Sequence, residues 1–107
     1  MQAVHSKGRA VQRIVIRKPG GYSALEMVEE PDPKPEPGEV VIAVEAAGVN
    51  YADGIIRMGL YESAKRLHGY PITPGFEVAG RIAALGRGVD DWAIGDQVIG
   101  LTLFNGY

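Results

Sequence analysis

The chain has 107 residues, a formal net charge of -2 from 11 basic and 13 acidic side chains, and 46% hydrophobic residues. Its length suits one domain or a piece of one, its composition is that of an ordinary globular fold, and its charge balance leaves no electrostatic footprint for nucleic acid. Cysteine is absent, which excludes a disulfide framework, a thiolate nucleophile, an iron–sulfur cluster and a cysteine zinc site.

Residues 1–10 are polar and aperiodic and are expected to fray. They contain no secretory signal pattern, and no apolar run in the chain approaches the roughly 18 residues that span a bilayer. A cytoplasmic location without a membrane span is the expectation. The β-branched run Val11–Arg17 predicts a strand, ended by the turn Pro19-Gly20-Gly21-Tyr22. A short strand follows at Leu25–Glu30. Prolines at 31, 33, 35 and 37 then remove strand donors at every second position, which predicts an extended spacer.

Glu39–Val49 is apolar on both of its faces, the pattern of a strand covered on two sides. Tyr51–Leu60 is the single predicted helix, with Asn50 as its N-cap, Asp53 at the third helical position in a capping-box arrangement, and Gly59 as its stop. Gly75–Gly86 predicts another strand, in which Gly80 marks a bend or a close approach. A turn-rich corner at Asp90–Asp96 leads to a last strand at Gln97–Leu103. With 15 glycines and 7 prolines, this is a mostly β domain built from short strands and tight turns.

Few residues offer independent chemistry. His5 and His68 lie far apart without metal-ligand spacing. Gly86-Arg87-Gly88 follows a strand but runs into the acidic Asp90-Asp91 rather than a helix, so no dinucleotide fingerprint is formed, and no P-loop is present.

The informative constellation is Gly48-Val49-Asn50, Asp53, Arg57-Met58-Gly59-Leu60-Tyr61, Pro74-Gly75-Phe76-Glu77-Val78-Ala79-Gly80 and Gly95-Asp96-Gln97-Val98. In order and spacing it resembles the N-terminal GroES-like domain of the medium-chain dehydrogenase/reductase superfamily, in the zinc-independent quinone oxidoreductase branch that includes zeta-crystallin and VAT-type members. The turns Pro19–Tyr22 and Pro37–Val40 also sit where that family has turns, so the resemblance covers nearly the whole chain.

The resemblance implies a partly open GroES-like β-barrel over residues 11–107, incomplete and lacking the Rossmann domain that binds NADPH in whole members. It implies a quinone or other α,β-unsaturated carbonyl as the small-molecule partner, with a homodimeric parent left open, and an isolated fragment without activity. Zinc-dependent relatives carry a cysteine near the helix start and a Gly-His-Glu ligand motif. Here Asn50-Tyr51-Ala52-Asp53 and Gly75-Phe76-Glu77 stand in those places, which implies that no zinc is held.

Asn50 and Tyr61 match family positions near the nicotinamide, Asn50 in contact with the cofactor, and both are the candidate catalytic donors to the acceptor's carbonyl oxygen. Ile55 stands where several quinone reductases place a tyrosine. Each residue also has a plainer reading. Asn50 serves as a helix cap, Tyr61 as a packed aromatic, Arg57 as the i,i+4 partner of Asp53. Glu77 reads as structural, Thr73 and Pro74 as a turn, His68 as solvated, and Trp92 as a core or corner aromatic. Against the enzyme reading stand a non-catalytic GroES-like assembly or interaction module and a scaffold descendant that has lost catalysis; fold alone does not separate them.

Overall fold

In a computed structural model, described for residues 2–4 and 10–107, the chain forms two β-sheets and two short helices. The four-stranded sheet has the order β1 (Gln2–Val4), β4 (Val40–Ala47), β5 (Glu77–Leu85), β6 (Gln97–Leu101). The other sheet pairs β2 (Ala10–Ile16) with β3 (Leu25–Pro31) in an antiparallel ladder. Together they make the partly open, mostly β architecture expected of a GroES-like fragment. Of the segment expected to fray, Gln2–Val4 lies parallel to β4 and Ala10 opens β2; Met1 and residues 5–9 lie outside the described residues.

The strands fall where β-branched residues concentrate, and their pairing explains the two-faced apolar pattern. Val41 and Ile42 in β4 point to opposite faces and are both buried, because different clusters cover the two sides. Ile42 packs with Val78 and Ile82 on one face. Val41 packs with Val11 on the other. β5 pairs with β4 through Ile82 opposite Ile42 and Gly80 opposite Val44. The expected close approach at Gly80 is there: a Cβ would lie 2.1 Å from the Ala43 carbonyl oxygen, so only glycine passes the neighbouring main chain. Residues 32–36 form no ladder, and Gly38 (φ 81°) turns the chain into β4.

Between β4 and β5 lie α1 (Tyr51–Arg57) and α2 (Glu62–Leu67), so the expectation of a single helix is corrected. The second helix is only six residues long and buries Ala64 alone. It therefore shows no repeating apolar stripe, and its signature is charge: Glu62 in the first turn, Lys65 and Arg66 in the last, which suits the helix dipole. Gly59 (φ 78°) ends the first helix as expected, and its N–H donates to the Ile56 carbonyl at 3.0 Å.

A third cluster, Ile16, Ile56, Ala64, Ile72 and Phe104, joins both helices to the small sheet. Ile16 and Ile72 exchange two main-chain hydrogen bonds of 2.8 and 2.9 Å. β6 stops at Leu101 rather than Leu103, because Leu103 (φ 64°) and Asn105 (φ 70°) adopt the left-handed conformation and turn the chain away. No helix among the described residues is long and apolar enough to cross a membrane.

Candidate functional site

The turn that carries Asn50 enters α1 through Gly48. A Cβ at Gly48 would stand 2.1 Å from Glu77 Oε1, so glycine lets the Glu77 side chain lie across the turn. Asn50 is extended (φ -118°, ψ 154°), as an N-cap requires. The firm arm of its capping box is the Asn50 N–H donating to Asp53 Oδ2 at 2.8 Å. The reciprocal arm is loose: the Asn50 side chain faces the Asp53 N–H but makes no hydrogen bond of ordinary geometry, and that N–H donates to the Asn50 carbonyl at 3.0 Å. The exposed Asn50 carboxamide therefore keeps its hydrogen-bonding capacity.

Asp53 is the organising group. It is buried and gathers three donors from separate segments: the Asn50 N–H, the Gly75 N–H on Oδ1 at 3.1 Å, and the Tyr107 hydroxyl on Oδ2 at 2.5 Å. The Tyr107 hydroxyl also lies 3.3 Å from the Gly48 carbonyl. Burial pushes the Tyr107 phenol far above the ordinary tyrosine range, and acceptance by Asp53 together with the charges of Asp53 and Glu77 pushes it further. This hydroxyl is held as a neutral donor.

Around these groups runs a cleft of about 500 Å³ whose walls include Tyr22, Leu25, Asn50, Ile55, Met58 and Tyr107. It is mostly apolar, with the Asn50 carboxamide, the Asp53–Tyr107 pair, Arg57 and the hydroxyls of Tyr22 and Tyr51 as its polar groups, the composition of a small-molecule site with a few orienting polar groups. The expected Arg57–Asp53 pairing is corrected here. Asp53 is occupied by its three donors, and the Arg57 guanidinium lies over the Tyr22 ring at 4.3 Å, a cation–π contact. A second hollow, about 600 Å³, lies on the face of the four-stranded sheet against Ile42, Ile82, Val98 and Trp92. Among the described residues its wall carries one ionisable side chain, Glu45, with Gln97 and Trp92 as further polar groups, whereas the first cleft holds the buried Asp53–Tyr107 pair.

Of the two candidate donors, Asn50 lies on the cleft wall and Tyr61 does not. Tyr61 precedes α2 and packs edge-on against Phe76, ring centroids 5.8 Å apart, while Phe76 in turn meets Phe104 at 5.9 Å. Phe76 thus sits among stacked rings. Among the described residues no group of three or more His, Asp or Glu could hold a metal ion. His68 is exposed, with Nδ1 2.8 Å from the Gly69 carbonyl, and Trp92 is a half-exposed corner aromatic.

Tyr107 and the contact of Arg57 with Tyr22 were not visible as site features in the sequence. Tyr107 reaches Asp53 across 54 residues, and no local pattern encodes that distance. The one available signal was the turn-forming Asn105-Gly106 immediately before it.

Comparison with known proteins gives a consistent family. Residues 36–106 match the alcohol dehydrogenase GroES-like domain. The chain is 42% identical over 88 residues to the synaptic vesicle membrane protein VAT-1 homolog of Rattus norvegicus, covering 80% of this chain and 21% of that protein. It superposes on the human VAT-1 homolog-like protein with a TM-score of 0.83 at 32% identity, covering 92% of this chain and 31% of that one. On the Escherichia coli quinone oxidoreductase solved with NADPH the TM-score is 0.75 at 34% identity, covering 83% and 26%. The chain therefore spans about a fifth to a third of the length of these relatives.

Proposed function

The chain belongs to the alcohol dehydrogenase GroES-like domain family, within the quinone oxidoreductase and VAT-1 branch of the medium-chain dehydrogenases/reductases, and from this premise we propose that it is the N-terminal, substrate-side domain of an NADPH-dependent, zinc-independent quinone or enone reductase. The observation that carries the reading is the exposed Asn50 carboxamide on the wall of the cleft, its oxygen turned toward the Asp53 N–H in the capping box and its amide hydrogens left to donate. A planar conjugated carbonyl fits such a wall, and the carboxamide supplies the one directional contact it needs. NADPH, held mainly by the remainder of the parent protein, supplies the hydride when bound; the NADPH in the Escherichia coli relative supports that choice.

This domain's part is orientation and electrostatics. As negative charge develops on the acceptor's carbonyl oxygen, the Asn50 N–H donates to it, an interaction worth about 3–4 kcal/mol in comparable oxyanion sites. Fixing the donor beforehand matters, since a donor that must reorganise during the reaction loses much of that value. Tyr61, the second candidate donor, packs against Phe76 away from the cleft wall, so the donor role falls to Asn50. The zinc-free reading rests on the donor set: Phe76 is engaged with two aromatic rings and Asp53 is engaged with three donors.

The test uses the complete parent protein. Its oxidation of NADPH should depend on an added quinone or enone and persist in chelator. Loss of activity in chelator overturns the zinc-free assignment, and absence of acceptor-dependent oxidation overturns the reductase reading. The 107-residue chain alone should bind NADPH negligibly by calorimetry; micromolar binding would refute the placement of the cofactor site.

A further inference from the structure

We propose that Tyr107 is a positioning residue for this site, acting through Asp53 on Asn50; the proposal rests on the reductase reading for its kinetic test. The side-chain arm of the Asn50 capping box is loose, so the residue's place is set chiefly by its main chain. The main-chain anchor is the Asp53 Oδ2 atom, and the Tyr107 hydroxyl occupies that same oxygen. The hydroxyl also approaches the Gly48 carbonyl, two residues before Asn50, and the Tyr107 N–H donates to the Pro74 carbonyl at 3.2 Å.

One residue thus spans both sides of the cleft wall. It meets the 48–50 turn on one side and the 74–75 turn on the other, where Asp53 Oδ1 receives the Gly75 N–H. The Tyr107 hydroxyl donates to Asp53, so it is not the group that faces the acceptor. Removing it leaves the ring in the wall and takes away one of the two donors that hold Oδ2 toward Asn50. The carboxylate is then held by two donors instead of three, and the Asn50 turn is tied down at one point fewer. A displacement of an ångström at a reacting group is enough to cost about 100-fold in rate.

The experiment is a double-mutant cycle in the complete parent protein. Tyr107→Phe should lower kcat for quinone or enone reduction by about 10- to 100-fold with little change in KM. In the Asn50→Ala background it should cause no further loss, because the effect passes through Asn50. Losses that multiply, or a change confined to KM, overturn the proposal. Should Tyr107→Phe fail to fold, Asp53→Asn enters the same cycle: its neutral carbonyl weakens the bonds from Asn50 and Tyr107 without removing them, so its loss should be smaller and must likewise vanish in the Asn50→Ala background. If the wild-type parent reduces no conjugated carbonyl, the reductase reading fails while the clamp is still judged by hydrogen exchange. The Asn50 and Gly75 amides should exchange faster in Tyr107→Phe by more than its change in global stability accounts for, and exchange at both amides that follows global stability alone overturns the clamp.

Discussion

Asp53→Ala is the substitution whose cost can be worked most directly from the structure. The side chain is 7% exposed and accepts from Asn50, Gly75 and Tyr107. The Gly75 N–H is itself buried, and leaving it without an acceptor costs about 1–3 kcal/mol. Loss of the capping arm to Asn50 costs about 1 kcal/mol, since water can reach that exposed N–H. The Tyr107 hydroxyl retains the Gly48 carbonyl at 3.3 Å, so its loss is limited to about 1 kcal/mol. Relief from burying a carboxylate offsets part of the sum, leaving about 2–4 kcal/mol, a large share of a typical stability of about 5–15 kcal/mol. Asp53→Asn should cost less. Its carbonyl can stay toward Asn50 and Tyr107, but its amide group then meets the Gly75 N–H, so one contact of the three is lost. Urea unfolding of the chain and both variants at matched m-values measures these differences. A destabilisation by Asp53→Ala below about 1 kcal/mol, or an Asn variant worse than the Ala variant, would refute the reasoning.

Three further outcomes are expected. Gly80→Ala should destabilise by about 1–3 kcal/mol or prevent folding, because its Cβ meets the Ala43 carbonyl oxygen at 2.1 Å and the obstacle is main chain; a thermal midpoint within a degree of wild type would contradict this. Stability should fall as pH rises above about 10, the ordinary tyrosine value. Burial raises Tyr107 and Tyr70 above 10.0, so the unfolded chain releases those protons first and gains stability relative to the native state. Tyr107→Phe should flatten the alkaline limb of the unfolding curve, and an unchanged limb speaks against the burial account. On the proposed reductase reading, Asn50→Ala in the complete parent protein should lower kcat by about 100-fold or more, beyond what its effect on urea stability explains; intact turnover would reduce Asn50 to a helix cap.

Much of this architecture was legible because it is local. Val11–Arg17, Glu39–Val49 and Gly75–Gly86 read as strands from β-branched content and covered faces, and each lies within two residues of an observed boundary. Gly80 read as a close approach because glycine in a strand has few other uses. The capping box of Asn50 and Asp53 was legible for the same reason, being three residues long. What escaped was either too short to be periodic or too distant to be local. α2 buries one alanine and has no stripe to detect. Arg57 was expected on Asp53 by helical spacing, but a carboxylate already holding three donors and a nearby Tyr22 ring decided otherwise. The contact of Tyr107 with Asp53 depends on the β5–β6 pairing and the turn at 102–106, and no sequence window contains them both.

Gly75 and Gly106 cross with their main chains nearly touching: a Cβ on Gly75 would lie 2.7 Å from Gly106 Cα, and one on Gly106 would lie 2.9 Å from the Gly75 carbonyl carbon. Neither position can gain even a methyl group while the other stays where it is, and glycine leaves nothing smaller to which the partner could retreat. The pair is therefore closed to single-step substitution. Variation in this part of the domain has to proceed by insertion or deletion in the flanking turns, which shifts the crossing as a whole. Because Tyr107 directly follows Gly106 and lines the cleft, any such change also redraws the cleft wall, and the length of the 102–106 turn becomes the coordinate along which its shape can vary.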